Sequence, residues 1–457
     1  MNLLVKDKCF YKKMAVIAIP ISLQSMITIG VNMTDTVMVG KLGETSLSAT
    51  ALANQFVNIY QICCMGIAMG ASVLTSRFWG MQDITSLKKT ITLMLRLCIV
   101  LAVLFMLPTI LIPQLLMRMY TNDSAVIAQG VQYFKWMVYC YFLQGMTMTC
   151  TIVLRSVGQV NFPLFTSIGS FFVNILFNYM FIFGKLGVPR MEVEGAGVGT
   201  LIARVFEFSL ICGYFLFVDR KIGYRLKDLR MKCNSLIKDY VSISIPVFVS
   251  DSLLALGTSA VAMVMGRIGT GFVSANSITV VTQQLTTVVI QGICHAGCIM
   301  TGHTLGHGER EKAQQQAWTF LILGLVVGIL GGGLIKVLSR PIIGLYNITP
   351  ETAQIAGELM DAIAFIVIFQ SMNSILTKGV LRGGGDTKFL MVADIIFLWA
   401  ASLPLGILAG LVWHLDAFWI YVFLKIDQIC KSIWCVFRLR SGKWIKTFSK
   451  EKMNHAK

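Results

Sequence analysis

Acidic side chains are scarce in this sequence, with 22 Asp and Glu among 457 residues against 39 Lys and Arg and only five His. All charged residues together make up 13% of the chain and hydrophobic ones 56%, with a mean hydropathy of +0.72. That balance excludes an ordinary soluble domain. Short segments of strict apolar–polar alternation are missing, which excludes a transmembrane β-barrel. No G-x-x-x-x-G-K-[ST] occurs, and Gly383-Gly384-Gly385-Asp386 lacks the lysine of a phosphate loop, so nucleotide hydrolysis is not indicated. Neither G-x-S-x-G nor H-E-x-x-H is present, so the chain reads as no enzyme and offers no catalytic residues. His303 and His307 have the i,i+4 spacing of metal ligands, but only Glu309 and Glu311 lie nearby. Neither a metal nor a cofactor is expected. The 12 cysteines fall mostly inside apolar runs, as do Cys63, Cys64, Cys140 and Cys150, and read as small packing residues. The first apolar run is too long for a cleavable signal peptide and lacks a small-residue cleavage site.

What the chain has in quantity is apolar stretches of about 20 residues, each long enough as a helix to cross roughly 30 Å of hydrocarbon. They lie at 14–37, 48–75, 90–113, 131–154, 162–184, 196–218, 241–265, 275–301, 316–338, 355–379, 389–412 and 416–437. The fold class is therefore an all-α polytopic membrane protein with about 12 transmembrane helices. The net charge of +17 is not a nucleic-acid signal, because it is sorted by side. Lys6, Lys8, Lys12 and Lys13 precede the first span, Arg220, Lys221, Arg225, Lys227, Arg230, Lys232 and Lys238 follow the sixth, and Arg438, Arg440 and Lys443 follow the last. With alternating spans all three segments share one side, while the opposite loops hold few such residues, among them Lys41, Lys185 and Arg190. The positive-inside rule places both termini and the central connector in the cytoplasm of a cell-membrane protein. The expected organisation is an N-terminal six-helix lobe 1–218, a basic linker 219–240, a C-terminal six-helix lobe 241–440 and a solvated basic tail 441–457.

The two lobes repeat each other. Gly40-Lys41-Leu42-Gly43 returns as Gly266-Arg267-Ile268-Gly269 at an offset of 226, which also carries Pro20 onto Pro246, Gly66 onto Gly292 and Thr75 onto Thr301. At an offset of 227, Leu154-Arg155-Ser156 returns as Leu381-Arg382-Gly383. In a membrane chain such a repeat is the commonest plan of secondary transporters, here with the halves related by an axis along the membrane normal.

Ionisable and polar groups at bilayer depth are costly and mark function by default. Gln24, Thr28, Asn32 and Asp35 are spaced four, four and three apart, so they share one face of the first helix. Ser167, Ser170, Asn174 and Asn178 form a second such stripe on the fifth span. Asp35 facing two amide carbonyls offers hard oxygen ligands for Na⁺, and the same setting suits a proton-exchanging carboxyl. The competing reading is a polar seam that only joins helices. The offsets carry Asp35 onto Val261, Asn174 onto Ala401 and Asn178 onto Leu405, so the constellation belongs to the N-terminal lobe alone. Asp251, Asn373 and Asp394 are candidates to line or support the C-terminal half of a cavity. Arg204 and Glu207, three apart, are expected to pair, and Lys425 and Asp427 are a weaker pair because a two-residue spacing points them apart.

Several of these segments resemble one known family in order along the chain. They are Asp35-Thr36-Val37-Met38-Val39-Gly40, Leu154-Arg155-Ser156-Val157-Gly158-Gln159, Asn174-x-x-x-Asn178-Tyr179-Met180-Phe181 with Gly195-Ala196-Gly197, and Leu381-Arg382-Gly383-Gly384-Gly385-Asp386-Thr387. Nearly the whole chain resembles the MATE (multidrug and toxic compound extrusion) transporters of bacterial type. The resemblance implies twelve helices in two pseudo-symmetric lobes around a V-shaped cavity, working by alternating access. It further implies export of organic cations and drugs in exchange for H⁺ or Na⁺, by a monomer whose partners are small molecules and the lipid bilayer. Carried over, Asp35 is the coupling carboxylate and Asn174 and Asn178 are its partners. Two departures stand out. One branch of the family carries acids in the seventh and tenth spans, where this chain has Leu254 and Asn373, and the archaeal-type aspartate of the fifth helix is replaced by Asn178. The alternatives are export of an endogenous metabolite or a lipid-linked precursor flippase. A flippase needs a strongly cationic central cavity, and only Arg204 and Lys135 are obvious central cations.

Overall fold

The computed structural model describes residues 4–185, 187–344 and 348–447, and among these the regular structure is helical throughout. By internal contacts the chain divides into two units, Leu23–Ser244 (the N unit) and Met1–Ser22 with Ile245–Lys457 (the C unit). Both divisions fall inside helices beside Pro20 and Pro246, where proline has already removed a backbone hydrogen bond.

The N unit takes most of α1 (Lys8–Gly40), then α2 (Glu44–Gly80), α3 (Ile84–Leu111), the short α4 (Pro113–Arg118), α5 (Ser124–Ser156), α6 (Asn161–Phe183) and α7 (Glu192–Gly213). Gly43, at φ +116°, makes the turn between α1 and α2 that a side chain would strain. Asp83 caps α3 by accepting the Ser86 N–H at 3.0 Å, and Asp123 caps α5 through Ala125 at 2.9 Å. Helix α5 packs on α2, α3 and α7, and α6 packs on α7. At this core the buried rings of Tyr60 and Tyr141 meet edge to face, 5.0 Å apart. Gly145 leaves room there, since a Cβ would stand 2.3 Å from the Tyr60 hydroxyl.

The expected linker is more ordered than its composition suggests. Residues 234–240 are already the start of α8 (Asn234–Ile268), and the preceding stretch docks on α3. Lys88 Nζ lies 2.9 Å from Asp228 Oδ2 and donates to Gly223 O at 2.6 Å, and the Thr92 and Tyr224 hydroxyls are 2.9 Å apart. Burial works against ionised Asp228, but the Lys88 hydrogen bond and the Arg225 N–H outweigh it and hold the carboxyl below its ordinary value.

The C unit holds the rest of α8, then α9 (Thr270–Gly306), α10 (Arg310–Ile343) and α11 (Pro350–Ser374), which runs on as the π-helical stretch Ile375–Leu381. Next come α12 (Thr387–Asp394), a π-helical stretch, α13 (Leu403–Ile407) and further π-helical turns to Val412, then α14 (Ala417–Leu424) and α15 (Ile426–Arg440). Helix α11 touches α9, α10, α14 and α15. Shifting α2 by 226 gives 270–306, the bounds of α9, and shifting α5 by 227 gives 351–383, which is α11 with its extension. The same repeat element is thus the central helix of each unit.

Among the described residues eleven helices are long and apolar enough to cross a membrane. The expected twelfth span, 416–437, is instead two helices broken at Lys425, whose φ and ψ are −123° and 17°. Ser402 captures the Leu424 carbonyl at 2.6 Å, and the Lys425 N–H turns tightly onto Val422 O at 3.2 Å, so the regular ladder stops there. Large apolar side chains point outward on both units, Leu111, Phe217 and Val337 being 73% exposed, as lipid-facing helices require.

The segment after α15 departs from a solvated tail. Trp444 is fully buried, its ring against Gly384, where a Cβ would come within 2.3 Å, and its indole N–H donates to Gln314 at 2.7 Å. Asp386 accepts from Arg438 at 2.6 Å and pairs with Lys446 at 3.2 Å. Apolar burial of one indole with two ion pairs outweighs the solvation of so short a basic stretch. Of the expected tail, residues 448–457 lie outside the described residues.

Candidate functional site

Helices α1 and α6 carry the two polar stripes, and the N unit brings their ends together. Asp35 Oδ1 accepts a hydrogen bond from Asn178 Nδ2 at 2.6 Å, and the same nitrogen lies 3.3 Å from Asn174 Oδ1. Asn174 and Asn178 are buried at 2% and 1% exposure, whereas Asp35 is half-buried. The Asp35 side chain lines a cavity of about 350 Å³, together with Thr28, Asn32, Ser170, Asn174 and Arg204. Asn178 Oδ1 is buried without a donor and rests against Gly199, where a Cβ would stand 2.1 Å away. That close approach is what glycine on α7 supplies.

Charge in this cavity comes from three side chains, Asp35, Arg204 and Glu207. Arg204 Nη1 donates to Glu207 Oε2 at 2.8 Å, the expected pair, so those two cancel. Asp35 has no ion-pair partner among the described residues and carries the remaining negative charge. An acid held by amides and open to a polar cavity can bind and release a small cation.

Gln24, at the start of the first-helix stripe, has a different task. Gln24 does not line the cavity; its Nε2 donates to Ser167 Oγ at 2.8 Å and its Oε1 accepts from Arg155. Thr28 donates to the Gln24 carbonyl at 3.0 Å, Asn32 is exposed, and Ser170 Oγ donates to Ala203 O at 3.2 Å. The sequence reading missed the α2 contribution. Asn54, Asn58 and Gln61 line the same cavity, and Asn54 accepts from the Tyr133 hydroxyl at 3.2 Å. Their spacing of four and three is the same one-face signal that singled out α1.

In the C unit Asn373 and Asp394 lie in one network and line a cavity, whereas Asp251 pairs beside that network and does not line the cavity. Arg382 Nη2 pairs with Asp251 Oδ1 at 3.0 Å. Asp394 accepts from Ser250 and pairs with Lys431 at 2.8 Å, and Lys431 also pairs with Asp427 at 3.1 Å. Asp427 thus bonds one helical turn along α15, not to Lys425 as suggested, because only the i,i+4 partner shares its face. Asn373 Nδ2 donates to Gln428 at 2.8 Å, and Gln428 donates to Asp427 at 2.7 Å.

Comparison with known proteins supports the reading of the repeat and the fold. The family model described as MatE matches residues 20–180 and 246–429, one block in each half. A Thermotoga maritima protein named "Probable multidrug resistance protein NorM" is 24% identical over 441 residues, covering 95% of this chain and 93% of that one. The "Uncharacterized transporter YisQ" of Bacillus subtilis is 24% identical over 419 residues, covering 90% of each chain. A crystal structure of a variant of the Vibrio cholerae MATE transporter VcmN superposes with a TM-score of 0.86 at 16% identity, covering 95% of this chain and 97% of that one. By the family match over most of its length, this chain belongs to the MATE family of multi-pass membrane transporters, which are not enzymes.

Proposed function

We propose that the protein exports organic cations, drugs among them, across the cell membrane in antiport with H⁺ or Na⁺, and that Asp35 with Asn174 and Asn178 reads the coupling ion. The observation that carries this is the unpaired Asp35 carboxylate, held by Asn178 at 2.6 Å in a cavity with one net negative charge. A negative cavity suits a cationic cargo and opposes the pyrophosphate headgroup of a flippase substrate. In this reading ion binding at Asp35 from outside favours the state with low cargo affinity, and release inside resets the cycle, with both termini cytoplasmic. The basic segment 219–240 then joins two lobes, 1–218 and 241–440, of a monomeric transporter.

Asn178 turns its amide donor toward Asp35 while its carbonyl faces Gly199. Neutralisation by a proton needs no rearrangement of that amide, which supports H⁺, while the Asn174 carbonyl in the same cavity keeps an oxygen ligand for Na⁺. The test is efflux of a fluorescent cation from everted vesicles, with pH and Na⁺ gradients imposed separately. Wild type should respond to the pH gradient, and Asp35→Asn should insert normally yet fall to background. Wild-type-like efflux by Asp35→Asn would overturn the assignment.

A further inference from the structure

The C unit encloses a cavity of its own, of about 230 Å³, which the ion-coupling reading leaves unused. Its charged lining is Lys378, Arg382, Lys425 and Lys431 against Asp394 and Asp427, two positive charges in excess. The excess is only half balanced from outside the lining. Lys431 takes both carboxylates, at 2.8 Å from Asp394 and 3.1 Å from Asp427, and Arg382 takes Asp251 at 3.0 Å. Counting Asp251 still leaves one positive charge. Lys378 and Lys425 form no ion pair among the described residues. Arg382, 4% exposed, also keeps a buried Nε–H with no acceptor.

A half-buried cation without an ion-pair partner at membrane depth, as Lys425 is, is costly, and it persists where something negative is to be received. We propose that this cavity is a binding site for an anionic group, a carboxylate or phosphate, drawn in by Lys425 and Lys378 and met by the free N–H of Arg382. Two lining residues set a further condition. Asn373 Oδ1 and Asp427 Oδ1 are buried acceptors without donors. A ligand with a hydroxyl or amine beside its acid group satisfies them, and a bare halide does not. The ligand class is therefore a small hydroxy or amino acid function, either free, as part of an amphoteric cargo, or on a lipid headgroup.

The probe is mandelate, a hydroxy carboxylate, compared with its methyl ester, which keeps the shape and loses the charge. Calorimetric titration of the full chain in phosphatidylcholine nanodiscs should show mandelate binding at least about tenfold tighter than the ester, a difference of about 1.4 kcal/mol. Lys425→Gln should remove that preference and Lys425→Arg should keep it. Lys378→Gln, at an exposed position that does not endanger folding, should weaken it. Adding phosphatidylglycerol separates the sources: loss of mandelate binding identifies a lipid headgroup as the occupant, and unchanged binding identifies a free ligand. Asp35→Asn should bind mandelate as wild type does, so failure of the coupling assignment leaves this one standing. No mandelate binding by wild type, equal binding of the ester, or an unchanged preference in both lysine-to-glutamine variants would overturn the proposal.

Discussion

Arg155 and Arg382 occupy equivalent places in the two units and grip the same turn of the first helix in each, one residue apart in the register that carries Pro20 onto Pro246. Arg155 holds Gln24 and Arg382 holds Asp251, and the partners are 131 residues apart in both cases. The next contact repeats as well: Gln24 meets Ser167 in the N unit, and Ser250 meets Asp394 in the C unit. The mechanical joint is the same and its chemistry is different. In the N unit it is an arginine with neutral partners, and the carboxylate sits eleven residues further along α1, about 16 Å away at 1.5 Å per residue. In the C unit the acids sit at the joint itself and are held by built-in cations, while the Asp35 level is filled by Val261, Ala401 and Leu405. One unit keeps its acid free for an exchangeable ion; the other has its acids already neutralised.

The sharpest way to break this contrast is to remove the internal cation. Lys431→Met leaves Asp394 and Asp427 buried without their ammonium and should cost about 3–5 kcal/mol. Thermal unfolding of the purified protein reads this. Adding Asp394→Asn and Asp427→Asn should recover most of the loss, and a single variant as stable as wild type would show that Lys431 is not their counter-ion. A smaller difference separates the two joints. Arg382→Met strands a carboxylate, whereas Arg155→Met strands only a neutral amide, worth about 1–3 kcal/mol. Equal losses in the same assay would mean that partner charge does not matter.

Gly199→Ala tests the N unit where it is tightest. Its Cβ would stand 2.1 Å from Asn178 Oδ1, so overpacking of about 1–3 kcal/mol is expected together with reduced ion-driven efflux. Gly213→Ala on the same helix meets nothing within 4 Å and should leave efflux unchanged. A normal Gly199→Ala transporter would remove Asn178 from the coupling site.

The smallest effect concerns the docked connector. The folded carboxyl of Asp228 lies below its ordinary value, so its contribution is complete above the ordinary carboxylate range and is lost as pH falls through the folded value. Protection of the 223–231 amides, measured against their intrinsic exchange rates, should therefore fall on acidification in wild type. In Asp228→Asn that protection should already be low at neutral pH, and a loss of protection on acidification that survives in the variant would assign it to another group.

Much of this architecture is legible in the sequence because helical periodicity and an internal repeat are local or long-range patterns of residue type. Span positions, the pairing of the Asp35 and Asn178 stripes, and the Arg204–Glu207 pair all follow from spacing. The break at Lys425 does not, since it depends on a hydroxyl from Ser402, distant in sequence, capturing the Leu424 carbonyl. Trp444 is hidden for a related reason. Basic neighbours make its segment read as solvated, and only the bare backbone at Gly384 gives the indole a place to go. The Lys431 network was not read, because the sequence reading set Asp427 only against Lys425, two residues away, and the i,i+4 partner on α15 is Lys431.

The repeated 131-residue joint also carries a statement about descent. A contact present in both halves of a duplicated chain is most simply inherited from the single ancestral half, whereas Asp35 and the acid–lysine network each occur in one half only. The arginine grip is then the older machinery, and the free acid of the N unit and the acid–lysine network of the C unit were fitted to it separately after the halves were joined.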